Sequence, residues 1–422
     1  MNNWPTTEFN KLYLVNSRNG LNRPTRVRGT GFKMINMGEL FSYDRIRNPP
    51  MDLVPMSETE QTASSVAVGD LLFARQSLVA AGTGKCSIVL TVPELTTFES
   101  HLIRVRLNEH RTDPLFYYYY FSSHIGKANI QSLVMQVAAA GIRASELAHL
   151  QVPVPPLPTQ RKIAAILSAY DELIENNARR IAILEEMAQA LYREWFVHFR
   201  FPGHEEVPMV ESALGPVPEG WQVTALRMVC AYINRGISPK YDARSASVVI
   251  NQKCIRNDTV SLNAARKHAT KVPPAKGLRF GDVLVNSTGI GTLGRVAQVY
   301  QQLQDCTVDS HVSIVRPNDR VALDYFGLYL LGLQTYFDSR GAGSTGQTEL
   351  SRNAIGDAVF LLPPKLLQDR FADIVAPMRT TMVLMATKMD ILRRTRDLLL
   401  PKLISGELDV EELDIATVEA DV

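Results

Sequence analysis

The chain of 422 residues holds only four cysteines, Cys86, Cys230, Cys254 and Cys306. They lie too far apart for a CxxC pair and are too few to staple a chain of this length. Reduced thiols in a cytoplasmic protein are therefore expected. Together with the eight histidines they form no spacing that would hold a metal, so none is expected. No run of about 18 apolar residues occurs, which excludes a membrane-spanning helix and leaves no membrane partner. The opening MNNWPTTEFNKLYLV lacks a basic stretch followed by an apolar core, so no signal peptide is read. A dominant sign of charge is also missing. The balance is 45 basic against 43 acidic residues, a formal charge of +2, which at first argues against nucleic acid as a partner. What is present is ordinary for a globular protein, 45% apolar and 21% charged, and the length predicts two to four domains.

The chain also repeats itself. Gly69-Asp70-Leu71-Leu72 returns as Gly281-Asp282-Val283-Leu284, Ser100-His101-Leu102 as Ser310-His311-Val312, and Pro155-Pro156 as Pro363-Pro364, at offsets of 212, 210 and 208. Each copy runs from a Gly-Asp turn into an apolar strand, a glycine-rich stretch, a second strand, Ser-His, an aromatic-rich helix, a proline boundary and a long helix.

The long helices are the most regular segments. From Thr159 to Arg200 the first carries Leu167, Tyr170, Ile174, Asn177, Ile181, Leu184, Ala188, Leu191 and Trp195 in steps of three and four. An offset of 208 gives Val375, Met378, Met382, Met385, Met389, Leu392, Arg396, Leu399 and Leu403. Two matching apolar seams bury each other most simply, and a pseudo-two-fold relation between the copies makes the pairing antiparallel. Asn177 and Arg396 interrupt the seam, and Pro377 predicts a kink or a late start of the second helix. A helix of about 41 residues spans roughly 60 Å, on the order of 18 base pairs of B-DNA, so the pair can act as a caliper.

Charge counted by segment reverses the first impression. It is +3 over residues 1–155, −2 over 156–206, +4 over 207–362 and −3 over 363–422. Residues 9–38 contain Lys11, Arg18, Arg23, Arg26, Arg28 and Lys33 without an acid. Residues 235–279 contain ten basic residues against Asp242 and Asp258. A solvated face explains one such run; runs near the start of both copies point to nucleic acid.

Other motifs lack their context. Gly289-Ile290-Gly291-Thr292-Leu293-Gly294 spells GxGxxG but precedes a strand, Arg295–Tyr300, where a dinucleotide fingerprint must open a helix, so a β-turn is predicted. Gly84-Lys85 lacks the following Ser or Thr of a P-loop. Asn48-Pro49-Pro50-Met51 resembles a methyltransferase NPPY/F motif with methionine in the aromatic place, and it reads as a turn. His101 and His311 have no nucleophile or ligand spacing nearby and are expected to be satisfied by neighbouring backbone.

Several segments in order carry a family resemblance. They are Gly236-Ile237-Ser238-Pro239-Lys240-Tyr241, Val249-Ile250-Asn251-Gln252-Lys253-Cys254-Ile255-Arg256, the two Gly-Asp strand starts, Pro153-Val154-Pro155-Pro156-Leu157-Pro158-Thr159-Gln160-Arg161-Lys162-Ile163, and Leu398-Leu399-Leu400-Pro401-Lys402-Leu403-Ile404-Ser405-Gly406-Glu407-Leu408. Over essentially its whole length the chain resembles the specificity (S) subunit of type I restriction-modification enzymes.

The resemblance implies an α+β fold with two similar α/β target recognition domains, separated by two long antiparallel helices forming a coiled coil. The segments would be target recognition domain 1 at 1–154, a central spacer helix at 155–202, target recognition domain 2 at 203–362, a C-terminal spacer helix at 363–410 and an acidic tail at 411–422. The chain would be a non-catalytic subunit reading a bipartite site in double-stranded DNA and docking two methyltransferase subunits. In a restricting complex two motor-nuclease subunits would join them. S-adenosylmethionine, ATP and magnesium would belong to those partners, with no cofactor bound here. Candidate DNA contacts are Arg18, Arg23, Arg26, Arg28, Lys33 and Arg75 in the first domain, and Arg235, Lys240, Tyr241, Arg244, Lys253 and Arg256 in the second. The helix-pair seam would comprise Leu167, Ile174, Ile181, Leu184, Leu191, Met378, Met382, Met385, Met389, Leu392 and Leu399. The alternatives are a methylation-only or other phage-defence modification system, an enzyme acting alone, for which the NPPM segment is the sole support, and a scaffold with incidental basic faces.

Overall fold

The computed structural model describes residues 4–77, 82–134, 141–343 and 348–415. They form two compact units, Met1–Asn176 with Met389–Val422, and Asn177–Lys388. The long helices Leu157–Tyr192 and Lys365–Ile404 each contribute part of their length to both.

The first unit has a five-stranded sheet of β1 (Tyr13–Asn19), β3 (Arg45–Arg47), β5 (Leu71–Ala74), β6 (Cys86–Thr91) and β8 (Leu102–Leu107), in the order β1-β8-β5-β6-β3. A three-stranded sheet of β2 (Phe32–Ile35), β4 (Asp52–Val54) and β7 (Thr96–Phe98) is ordered β4-β2-β7. Only β3–β6 and β2–β7 pair in parallel.

The second unit repeats this plan. Its strands are β9 (Cys230–Arg235), β10 (Val248–Ile250), β11 (Arg266–Lys267), β12 (Val283–Asn286), β13 (Val296–Gln298), β14 (Cys306–Val308) and β15 (Val312–Pro317). They make a sheet β9-β15-β12-β13 and a sheet β11-β10-β14, the latter with β10 and β14 parallel. The central β5 and β12 are buried at every position, which is why Leu71–Ala74 and residues 283–285 read as apolar runs rather than as alternating ones, with the buried Asn286 closing β12.

The Gly-Asp pairs have a structural cause. Gly69 and Gly281 hold φ of 87° and 86°, a backbone that glycine adopts at no steric cost. The following aspartate is buried and accepts from a turn amide, Asp70 from Ala67 N at 2.7 Å and Asp282 from Arg279 N at 2.8 Å.

The aromatic helix Pro114–Ser122 begins with proline at its first position, and Asp113 caps it by accepting from Leu115 N and Phe116 N at 2.8 and 3.1 Å. Its aromatic residues, Phe116 to Phe121, are all buried, the condition of a helix enclosed on every side. Burial of tyrosine demands partners for the hydroxyls: Tyr117 donates to Pro153 O at 3.0 Å and Tyr119 to Asp171 at 2.7 Å. In the second unit Tyr325, on the helix Leu323–Leu331, donates to Leu361 O in the place of Tyr117.

Each long helix is fastened at its start by a buried glutamine. Gln160 accepts from Asp113 N at 2.9 Å and donates to Pro155 O at 2.8 Å; Gln368 accepts from Ala322 N at 2.9 Å and donates to Pro363 O at 2.8 Å. Within the first unit Ile163, Ala164 and Leu167 share a core with Leu399, Leu400, Leu403 and Ile404. Within the second, Ala188, Leu191, Trp195 and Phe196 share one with Leu367, Phe371, Val375 and Met378. The helices therefore pack antiparallel in both.

Two details depart from the sequence reading. The first helix is regular from Leu157 to Tyr192 and then widens into a π turn at Arg193–Val197, which seats Trp195 and Phe196 against Phe371 at ring distances of 5.8 and 4.9 Å. The second helix does not start late at Pro377. It begins at Lys365 and runs through Pro377, which lies at an exposed position. That helix ends at Ile404, and Val410, at the end of the expected spacer segment, is buried in the first unit's core; of the expected tail, Lys162 donates to Glu411 O at 2.7 Å, and residues 416–422 lie outside the described residues. No helix among the described residues is long and apolar enough to cross a membrane.

Candidate nucleic-acid interface

The basic residues separate into those bound internally and those without an internal partner among the described residues. Arg106 forks onto Asp70, with both nitrogens 2.7 Å from its oxygens, and Arg316 onto Asp282 at 2.7 and 2.8 Å. The Asp70 hydrogen bond holds the Arg106 guanidinium above its ordinary pKa. Arg45, whose side chain is 3% exposed, reaches Glu175 at 3.3 Å and Glu172 at 3.4 Å, and Arg47 reaches Glu175 at 3.0 Å. These pairs tie β3 to the first long helix. In the second unit Arg379 of the second long helix binds Asp324 at 2.6 Å, with its guanidinium 5.0 Å from the Phe280 ring and 5.2 Å from Tyr300. These arginines are framework.

Four of the candidate DNA contacts are also engaged within the fold. Arg23 donates through Nη2 to both oxygens of Glu60, at 2.6 and 2.7 Å; the Ser57 amide and then Arg23 hold that carboxyl below its ordinary pKa. Arg28 binds Asp52 at 2.7 Å, Lys33 binds Glu94 at 2.6 Å and Asn48 at 2.8 Å, and Arg235 binds Glu349 at 3.2 Å. Arg18, on the edge strand β1, reaches only the Ala63 carbonyl, at 3.4 Å.

The remaining cations are open. Among the described residues the side chains of Arg26, Arg75, Lys240, Lys253 and Arg256 make no hydrogen bond or ion pair, and all except the half-buried Arg75 are exposed. Arg244 is 94% exposed and touches only Asp242, at 3.6 Å. Tyr241 is 45% exposed and stacks beneath Arg266, whose guanidinium lies 3.3 Å from its ring, so the pair offers a flat cationic face. Arg266 was missed as a candidate, although its basic run was visible. The free cations of the second unit cluster on the loops around β10 and the hairpin Ile255–Arg256 / Thr259–Val260. Such a surface can neutralise phosphates and present donors to base edges.

Along the seam Leu167, Ile174 and Met389 are buried, while Ile181, Leu184, Leu191, Met378, Met382, Met385, Leu392 and Leu399 are half-buried. Asn177 is buried with its amide nitrogen unpaired. Arg396 meets Asp171 of the first helix; burial lowers its pKa, but Asp171 and then Asp397 outweigh it and leave the guanidinium firmly charged.

The tempting motifs resolve into structure. Asn48 sits at φ 53°, a turn conformation that asparagine tolerates, and holds Lys33. Lys85 binds Asp44 at 2.9 Å. His101 and His311 each precede a strand, but their partners are side chains rather than backbone: Glu99 at 3.6 Å and the Thr288 hydroxyl at 2.8 Å. Gly289–Gly294 forms the turn between β12 and β13. No three His, Cys, Asp or Glu side chains among the described residues are grouped to hold a metal ion.

Residues 35–186 match the family model of the type I restriction modification DNA specificity domain. The chain is 24% identical over 71% of its length, and 70% of the relative's, to the type I restriction enzyme MjaIX specificity subunit of Methanocaldococcus jannaschii. It is 21% identical to the HindI specificity subunit of Haemophilus influenzae, over 63% of this chain and 71% of that one. The fold is shared with the crystal structure of a type I restriction-modification S subunit from M. genitalium at a TM-score of 0.62, with 15% identity, over 96% of this chain and 97% of that one. With its duplicated framework and its loops of unpaired cations, the chain shares the fold of a type I restriction-modification S subunit, is similar to the specificity subunits of type I restriction enzymes, and carries the match to their DNA specificity domain within residues 35–186.

Proposed function

We propose that the chain reads a bipartite duplex target, with residues 1–154 and 203–362 as target recognition domains that each bind one short half-site. Residues 155–202 and 363–410 are the spacer helices, with 411–422 as tail. The observation that carries this reading is the duplicated framework: Asp70–Arg106 with Asp282–Arg316, Gln160 with Gln368, and Tyr117 with Tyr325 build the same support twice. The loops it carries differ in sequence, as two independent half-sites require. Phosphate contacts set register, and each good bidentate base contact contributes about 1–3 kcal/mol of discrimination. The helices dock two methyltransferase subunits, which bring S-adenosylmethionine. Where restriction subunits join, they bring ATP- and magnesium-dependent chemistry.

The test is to map methylated adenines across the genome in cells with and without this chain. A two-part motif with a fixed unread gap that vanishes with the chain is the expected result. Exchange of residues 207–362 for those of another such subunit changes one half-site only; a change in both overturns the modular reading. Four residues added to each long helix, about 6 Å, lengthen the gap by one or two base pairs, and an unaltered gap overturns the caliper.

A further inference from the structure

The most exposed large apolar side chain among the described residues is Ile290, at 83%. It stands at the tip of the turn joining β12 to β13, and that turn is built rather than loose. Gly289 and Gly291 take φ of 104° and 69°. A Cβ on Gly289 would fall 2.4 Å from the Thr292 hydroxyl and 2.8 Å from the Gln252 amide nitrogen. Gln252 donates to both the carbonyl and the hydroxyl of Thr288, at 2.7 and 2.6 Å. Arg295 donates to Gly291 O at 2.8 Å. The turn is thus braced from both sides, with Leu293 buried in the core, while Ile290 projects into water.

The bracing residue also fixes the neighbourhood. Gln252 opens the turn that carries Lys253, and Arg256 follows on the adjacent hairpin; both have unpartnered, exposed cations. An isoleucine on a fixed mount beside free cations matches a duplex groove, where phosphates flank base edges. The apolar feature that a major groove offers such a side chain is the 5-methyl group of thymine.

We propose that Ile290 is a specificity-determining residue of the second unit that contacts a thymine methyl in its half-site, with Lys253 and Arg256 on the flanking phosphates. This rests on the half-site reading above. It assigns to the glycine-rich turn, which has no nucleotide-binding context, the task of presenting one apolar group at a set position.

The experiment uses the complex reconstituted with its methyltransferase subunits on a duplex carrying the mapped target. Each thymine of the half-site assigned to the second unit is replaced in turn by deoxyuridine, which removes only the methyl. One replacement is expected to weaken binding of the unaltered complex about fourfold, the worth of one buried methyl, and to have no effect on the Ile290→Ala complex. Because the side chain is exposed, Ile290→Ala keeps the fold, and unchanged affinity for the other half-site verifies this. A mapped half-site without thymine on either strand overturns the proposal, as does affinity indifferent to every uridine replacement. Equal weakening of Ile290→Ala on thymine and uridine duplexes overturns it in favour of insertion between bases. If the unaltered complex shows no sequence preference at all, the half-site reading fails first; preference without methyl dependence overturns only the role of Ile290.

Discussion

Arg316 lies flat against Asp282, Nε to Oδ1 at 2.7 Å and Nη2 to Oδ2 at 2.8 Å, with the aspartate side chain 1% exposed and the arginine 9%. Nη1 donates to the carbonyl of Ala275, and Nη2 donates to that of Gly277 as well as to Asp282. One ion pair therefore binds three segments, β15, the Gly-Asp turn and the loop at 275–277. Removing one member of such a pair leaves a buried charge without a counter-charge. Asp282→Ala is expected to cost about 3–5 kcal/mol in the second unit. Trp195 and Trp221 lie in that unit's core, so urea unfolding followed by tryptophan fluorescence reads the loss. A shift in midpoint worth less than about 1 kcal/mol would contradict it.

The division between bound and open cations makes a second prediction. Lys253→Gln and Arg256→Gln are each expected to lower the slope of log affinity against log salt by about 0.9, uniformly across DNA sequences. Arg23→Gln is expected to leave the slope unchanged and to lower stability by about 1 kcal/mol, since it breaks a partly exposed pair with Glu60. Fluorescence anisotropy of a labelled duplex between low and physiological salt measures the first effect, and thermal melting measures the second. Equal slopes for all three variants would remove the distinction drawn among these residues.

The repeat is legible in the chain because the strand starts need Gly at φ near 87° and proline pairs stand immediately before the long helices that begin at Leu157 and Lys365. The arginine partners of Asp70 and Asp282 were not read, although Arg106 and Arg316 repeat at the same offset of 210 as the Ser-His pairs. Their charges entered only the segment totals, because sequence position does not say which carboxylate closes on a guanidinium. The ion pairs of Arg23, Arg28, Lys33 and Arg235 are hidden for the same reason: their acids, Glu60, Asp52, Glu94 and Glu349, are distant in sequence and meet them only in the fold.

The thiols yield a pH prediction. Burial pushes Cys230 and Cys306 up to about 12, and Cys254 and Cys86 upward as well. An unfolded thiol titrates near about 8.5, so the folded protein holds protons that the unfolded chain releases. The stability from these thiols is complete below about pH 8.5 and declines as pH rises toward 12. The denaturation midpoint is expected to fall more steeply between about pH 8.5 and 10.5 in the unaltered protein than in a Cys230→Ala, Cys306→Ala variant. Iodoacetamide at pH 8 is expected to label these two thiols only after denaturation, because the thiolate is the reacting form. Rapid labelling of the folded protein would contradict the burial.

Arg396 interrupts an apolar seam, and its partner explains why the interruption is tolerated. Asp171, 7% exposed on the first long helix, accepts from Arg396 and from the Tyr119 hydroxyl at 2.7 Å, and Arg45 stands 4.0 Å away. One carboxylate thus joins both helices to the aromatic helix and to β3. Arg396→Met restores the apolar seam but strips Asp171 of its nearest cation, and a loss of about 3 kcal/mol in the first unit is expected. Asp171→Leu removes the carboxylate and leaves Arg396, 28% exposed, free to turn toward water and Asp397, at a smaller cost. The double variant is expected to recover most of the loss, with a coupling energy of about 1–3 kcal/mol in a double-mutant cycle measured by denaturant unfolding. Strict additivity of the two substitutions would show that the seam tolerates Arg396 for a reason other than Asp171.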